Sequence, residues 1–182
     1  MDPSVRDRNA LVAALRTRGV NYLSPSCAEP AGPMDDEALI ASLASHSDPR
    51  LRQALIALFL LHPELGPLAE GILDRLEPPA ARELQAYYTA AVYLQRMWRI
   101  RLRRHLGDCP ELPDRFSRDL RLPDPGEENG KAGLQALAEW HSRGSAHRAN
   151  HLSEYEGVAE LLFQSLRMRR RVTREPAPKG GS

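Results

Sequence analysis

Arginine offers the most chemistry in this sequence. Arg96, Arg99, Arg101, Arg103 and Arg104 crowd one short stretch with His105 behind them, and a second run extends from Arg167 to Arg174. A clustered basic face is the footprint of a phosphate-gripping surface, and an aromatic such as Trp98 can stack on a base beside it. The same runs have another physical reading: cations in the last turn of a helix complement the negative end of its dipole and need no ligand. Of the 25 basic residues only Lys131 and Lys179 are lysines, the codon usage of a GC-rich genome, and the net charge is +1. Bulk charge therefore does not mark a polyanion binder. The candidate set for contact with a partner protein or nucleic acid is Arg96, Arg99, Arg103, Arg104, Arg167, Arg169, Arg170 and Arg171.

Histidine is the next resource. His147 and His151 stand four apart and share a helix face, with His141 before them and Glu154 three beyond. That spacing is used by metal-ligating histidines, but neither His-Glu-x-x-His nor a repeated Glu-x-x-His is present. A polar first turn accounts for the group, and no metal or cofactor is expected. Gly-x-Ser-x-Gly, the phosphate-binding P-loop and Gly-x-Gly-x-x-Gly are also missing. Cys27 and Cys109, both in proline-rich sequence, are expected to be free thiols. No catalytic set emerges, so the chain reads as non-enzymatic.

The elements that carry these residues are helical. From Pro79 to Leu106, Leu84, Tyr87, Tyr88, Ala91, Leu94, Trp98 and Leu102 fall on one side at 3.6-residue spacing, and Gln85, Thr89, Arg96, Arg99 and Arg103 on the other. This predicts one long amphipathic helix of about 42 Å, with one end projecting or meeting a partner. Gly107 should cap it, and Gln95, inside the stripe, needs a hydrogen-bond partner. Ser4 is the expected N-cap of a first helix ending at Gly19. Asp35 or Asp36 caps a second, and Asp48-Pro49 opens a third that is apolar on every side from Ala54 to Leu61. Glu64 to Leu76 makes a further short helix. Asp108 to Asn129 is a proline-rich connector with Phe116 and Leu120 as anchors. Asn129 to His141 and Ser145 to Arg171 form a C-terminal pair, with Leu134, Leu137 and Trp140 inward on the first.

The expected fold is all-α: a single-domain irregular bundle of about six to seven helices with one long central helix and a C-terminal hairpin. Residues 1–107 form the N-terminal bundle, 108–129 the connector, 130–172 the hairpin packed on the bundle, and 173–182 a disordered tail. No run of ~18 apolar residues spans a membrane, and MDPSVRDRN has no apolar signal core, so a cytoplasmic protein is expected.

Two resemblances attach to these patterns. Residues 48–76, with their Asp-Pro start, resemble a single HEAT-type helical hairpin; no second copy follows at a fixed period. The element Arg99, five residues, His105 in an all-helical chain resembles the HEPN class of bacterial nucleases and toxin partners. That resemblance implies a ribonuclease in which Arg99 and His105 act on the RNA phosphodiester. Ile100 stands where that class commonly has a polar residue. Residues six apart on one helix point about 120° apart, so the two converge only if the helix breaks or a dimer supplies a second copy.

The leading expectation is a helical interaction module, an accessory subunit of a bacterial complex with another protein as partner. The alternative is a nucleic-acid-binding protein of a defence or toxin–antitoxin system that uses its arginine-rich helix ends.

Overall fold

The computed structural model describes residues 3–24, 32–144 and 150–174; the side chains of 3–6 and 170–174 lie outside that description. Cys27, His147, the start of the last helix at Ser145 and residues 175–182 of the expected tail are likewise outside it. The described residues form eight α-helices and no strand: α1 (Pro3–Thr17), α2 (Asp36–Ser45), α3 (Pro49–Leu61), α4 (Gly66–Leu73), α5 (Pro78–Met97), α6 (Arg99–Leu106), α7 (Lys131–Arg143) and α8 (His151–Arg174). Short 3-10 turns at Pro63–Leu65 and Glu127–Gly130 precede α4 and α7.

Local chemistry sets several boundaries where the sequence places them. The Asp35 carboxylate accepts from Ala38 N at 2.8 Å, and Asp48 accepts from Arg50 N at 2.9 Å with Pro49 in the first turn. Each satisfies an orphan N–H of its helix. Ser4 is not a cap, because α1 already contains it. The segment resembling a HEAT unit is not an antiparallel hairpin. The chain turns through 109° between Pro49–Leu61 and Pro63–Leu73, short of the reversal a hairpin needs.

The expected 28-residue helix divides at Trp98, whose φ of −107° and ψ of 18° leave the helical region. The hydrogen bonds Trp98 N to Leu94 O and Leu102 N to Trp98 O survive, so the axis bends without terminating. No proline or glycine lies at the bend, and tertiary packing imposes it. The Trp98 ring meets Phe163 of α8 edge-on at 6.1 Å, and the Arg101 guanidinium sits 3.9 Å above the same phenyl ring. Beyond the bend Leu102 is buried and Leu106 packs against the core, while Arg99, Ile100, Arg103 and Arg104 face outward. Gly107 ends α6 at φ 80°.

α5 is also more deeply placed than an amphipathic stripe implies. Every residue from Ala86 to Gln95 is buried, including Thr89, assigned above to the polar side. The helix runs between α2, α3, α7 and α8, and α3 is its closest companion. The small residues Ala86, Ala90 and Ala91 let neighbours approach on faces that hydropathy alone leaves open. α7 approaches so closely at Gly133 that a Cβ there would stand 2.1 Å from the Tyr93 ring.

The connector is ordered by α5. Tyr88 Oη donates to Pro113 O at 2.8 Å and Tyr93 Oη to Pro123 O at 2.7 Å. The Gln95 amide donates to Pro110 O at 3.1 Å and accepts from Leu112 N at 2.7 Å, which supplies the partners its position demands. Phe116 is buried and Leu120 partly so, as expected of anchors.

Two substitutions test this packing. Gly133→Ala should destabilise the protein by about 1–3 kcal/mol in urea unfolding despite alanine's higher helix propensity, because the methyl meets an immobile ring. The Thr89 hydroxyl is buried with no partner among the described residues, so Thr89→Val should be neutral or stabilising by about 1 kcal/mol.

Candidate functional site

The structure decides how the two arginine runs are related. α5 and α8 run in the same direction: Tyr87, midway along α5, meets Tyr155 in the first turns of α8 at 6.2 Å, and Trp98 at the end of α5 meets Phe163 further along α8 at 6.1 Å. Parallel helices carry their basic ends to the same pole. Glu160 joins the runs, accepting from Arg101 at 2.9 Å and from Arg167 at 2.8 Å. The hydrogen bond from Arg101 holds its carboxyl below the usual carboxylate range. Not every basic residue joins the patch. Arg169 turns away and donates to Gly19 O at 3.0 Å, beyond the end of α1. Arg170 and Arg171 continue α8, with side chains outside the described residues.

Most of the remaining arginines have acidic neighbours. Arg96 pairs with Glu111 at 2.6 Å and Arg103 with Asp108 at 3.2 Å. Arg96 also bonds Gln95 Oε1 and Leu112 O, so its guanidinium helps hold the connector. Arg99 and Arg104 have no carboxylate partner among the described residues, and both are exposed. Between them stands Ile100, 78% exposed. These side chains, with Met97, Trp98 and the turn at Pro125–Gly126, border a groove of about 650 Å³ at the α5–α6 bend. The Trp98 indole N–H is buried beside it with no acceptor among the described residues. The groove thus combines two unpaired guanidinium groups with an exposed branched aliphatic side chain. Trp98, partly buried, meets Phe163 edge-on, and the Arg101 guanidinium lies 5.4 Å over its ring.

Arg99 and His105 both lie on α6, beyond the bend, so they remain on one continuous helix. His105 lies against Phe163 at 6.0 Å. The geometry does not bring the pair together within the chain.

The histidines form a different kind of site. His141 and His151 stack with ring centroids 3.9 Å apart, joining the end of α7 to the start of α8. His141 Nδ1 lies 2.6 Å from Tyr155 Oη and its Nε2 lies 3.0 Å from Glu83. A phenol and a carboxylate thus take up the two ring nitrogens of His141. Glu83 continues the chain to Arg52 at 2.8 Å, which also donates to His46 O. His151 Nδ1 pairs with Glu154 at 2.9 Å. Helical spacing places Tyr155 on the buried stripe of the last helix, but nothing in the sequence ties Arg52, Glu83 and Tyr155 to one another or to His141, because their partners come from three other helices. The described residues contain no group of three or more metal-ligating side chains. His141 is 1% exposed, whereas Arg52 and Glu83 reach the surface, where they border a groove of about 480 Å³ with His46 and Gly144. Burial, and then the charge of Glu64, push the Cys109 thiol up, which makes it a poor nucleophile.

Among the described residues no single helix is long and apolar enough to cross a membrane. No family model, curated protein or solved structure matches the chain. What the fold and the groove define is an all-helical single bundle with a mixed basic and apolar surface groove.

The buried network makes stability pH-dependent. Burial and the neighbouring His141 charge hold the His151 pKa below its ordinary 6.5, against the pull of Glu154. Burial pushes Glu83 up, but the hydrogen bond and charge of His141 and the charge of Arg52 outweigh it and leave the carboxyl below its ordinary value. A depressed histidine leaves the folded state binding fewer protons than the unfolded chain, so stability is complete above about pH 6.5 and declines below it. The depressed Glu83 extends that loss to lower pH, as its carboxylate is protonated. Urea midpoints measured between about pH 3 and pH 8 should fall on the acid side, and His151→Phe should flatten the slope near pH 6 while keeping the limb below about pH 4.5.

Proposed function

We propose that the protein is a non-enzymatic helical interaction module, an accessory subunit that docks another protein through the groove at the α5–α6 bend. The observation that carries this reading is the placement of Ile100. An aliphatic side chain this exposed, flanked by Arg99 and Arg104, matches a partner segment that offers an apolar anchor between acidic residues. Exposed arginines without carboxylate partners can pair with a partner's acids without first breaking an internal ion pair. A second reading has an observation of its own. Convergence of Arg101 and Arg167 on Glu160 concentrates basic side chains at one pole, which suits a nucleic-acid backbone.

A titration separates the two. An acidic peptide carrying one central leucine and a generic RNA or DNA duplex are each titrated, at low and moderate salt, into the full chain. The interaction reading expects peptide binding that drops about tenfold or more in Ile100→Asp and in the double variant Arg99→Glu/Arg104→Glu, with folding unchanged because all three residues are exposed. Duplex binding that falls steeply with salt and ignores Ile100→Asp would transfer the assignment to nucleic acid. Binding of neither probe rejects both.

A further inference from the structure

The groove beside the buried histidines is built by four parts of the fold: the turn from Ser45 to Ser47, Arg52 of α3, the first turns of α5, and Gly144 after α7. Arg52 fixes the turn, donating from Nη1 to His46 O at 2.6 Å and to Ser47 O at 3.1 Å. The His46 Nδ1 accepts from Asp48 N at 2.9 Å, which leaves Nε2 to carry the proton of the neutral ring. Two carboxylates line the groove. Glu83 is taken up by Arg52 and His141, and Glu77 is exposed.

Arg82 is the member that the rest of the network does not use. Its guanidinium lies 3.7 Å over the Trp140 ring, and Nη2 donates to Trp140 O at 2.7 Å. It passes Gly144 so closely that a Cβ there would stand 2.2 Å from Nε. That Nε is buried with no acceptor, and no carboxylate among the described residues pairs with the side chain. A guanidinium stacked and held in place, with donors left over, is preorganised for an acceptor-rich ligand.

We propose that this groove binds the anionic head of a small organic acid, a phosphate or a carboxylate, with Arg82 as its principal donor and the His46 imidazole beside it. The polar groups select an oxyanion: Arg82 and His46 offer donors, while the oxygens of Glu83 are engaged by Arg52 and His141. The first turn of α5 adds the positive end of its dipole. At about 480 Å³ the groove exceeds a bare ion, so the head belongs to an organic body, for which Ala44, Pro79 and Ala80 provide apolar surface. The site lies at the opposite end of the 20-residue α5 from the α5–α6 groove, about 30 Å away, and does not rest on the function proposed there.

NMR titration of the full chain with inorganic phosphate and, separately, with acetate at constant ionic strength tests the idea. The Arg82 Nε–H and His46 ring signals should shift together and saturate, with dissociation on the order of millimolar for a bare head group. The tighter of the two probes names the group. Gly144 has φ −100° and ψ −2°, a helix-end conformation open to alanine, so Gly144→Ala acts by displacing Arg82. Gly144→Ala and Arg82→Gln should each weaken binding about tenfold or more. Glu77→Gln removes an exposed carboxylate that makes no cap bond, and should tighten binding about threefold. Failure of both probes to saturate, binding indifferent to Gly144→Ala and Arg82→Gln, or binding weakened by Glu77→Gln overturns the proposal.

Discussion

Burial of α5 is the constraint on which the rest of this structure depends. Ten consecutive buried residues leave no solvated side, so a polar tip among them is satisfied by protein or, like the Thr89 hydroxyl, stays without a partner among the described residues. Tyr88, Tyr93 and Gln95 find theirs in the backbone of the proline-rich connector. The arrangement suits both parties. Prolines cannot donate to a ladder, and the carbonyls they leave open receive side-chain donors instead. A segment with no regular structure of its own becomes a fixed strap across the central helix. It tolerates non-glycine residues at positive φ, namely Arg121, Glu128 and Asn129, at a cost of order 1–3 kcal/mol each. Those costs persist because the hydrogen bonds to α5 over-determine the path of the strap.

The same logic holds α7 and α8. Apolar contacts of Leu134, Leu137, Leu162 and Phe163 supply burial without direction. Direction comes from the chain Arg52, Glu83, His141 and Tyr155, which joins α3, α5, α7 and α8 through hydrogen-bonded atoms of complementary type. Removing one member takes a partner from the buried His141 or Tyr155 ring or from the partly exposed Arg52–Glu83 pair, and a buried polar atom that loses its partner costs more than the intact contact contributes. The network specifies how α7 and α8 dock, and by docking them the network aligns α8 with α5 and brings two basic runs to one end of the molecule.

The polarity of the basic pole is largely cancelled from within. Glu111, Glu160 and Asp108 each sit beside an arginine, and exposed ion pairs of this kind contribute little to stability. Their effect is to subtract. Among the described residues, Arg99 and Arg104 around Ile100 stay without a carboxylate partner, and the contrast with their paired neighbours singles out the groove.

Much of the fold was legible in the sequence. Hydrophobic period, the caps Asp35 and Asp48, the breakers at Gly107 and Gly144, and the anchors Phe116, Leu134 and Leu137 all report local chemistry that the chain carries along its length. So does the need of Gln95 for a partner. What the sequence concealed shares one physical cause: it depends on residues distant in the chain. The bend at Trp98 has no breaker and arises because Phe163 and Arg101 reward it. Thr89 looked solvated until α7 and the other neighbours of α5 closed every side. Arg52, Glu83 and Tyr155 are unremarkable as letters and become a network only when four helices meet. The sequence by itself determined that the chain is helical, where most helices lie, and which side chains could meet a partner. Only the tertiary structure decided that α5 and α8 run parallel, because relative helix direction is set by how non-local surfaces pack and by which buried polar groups can be satisfied together.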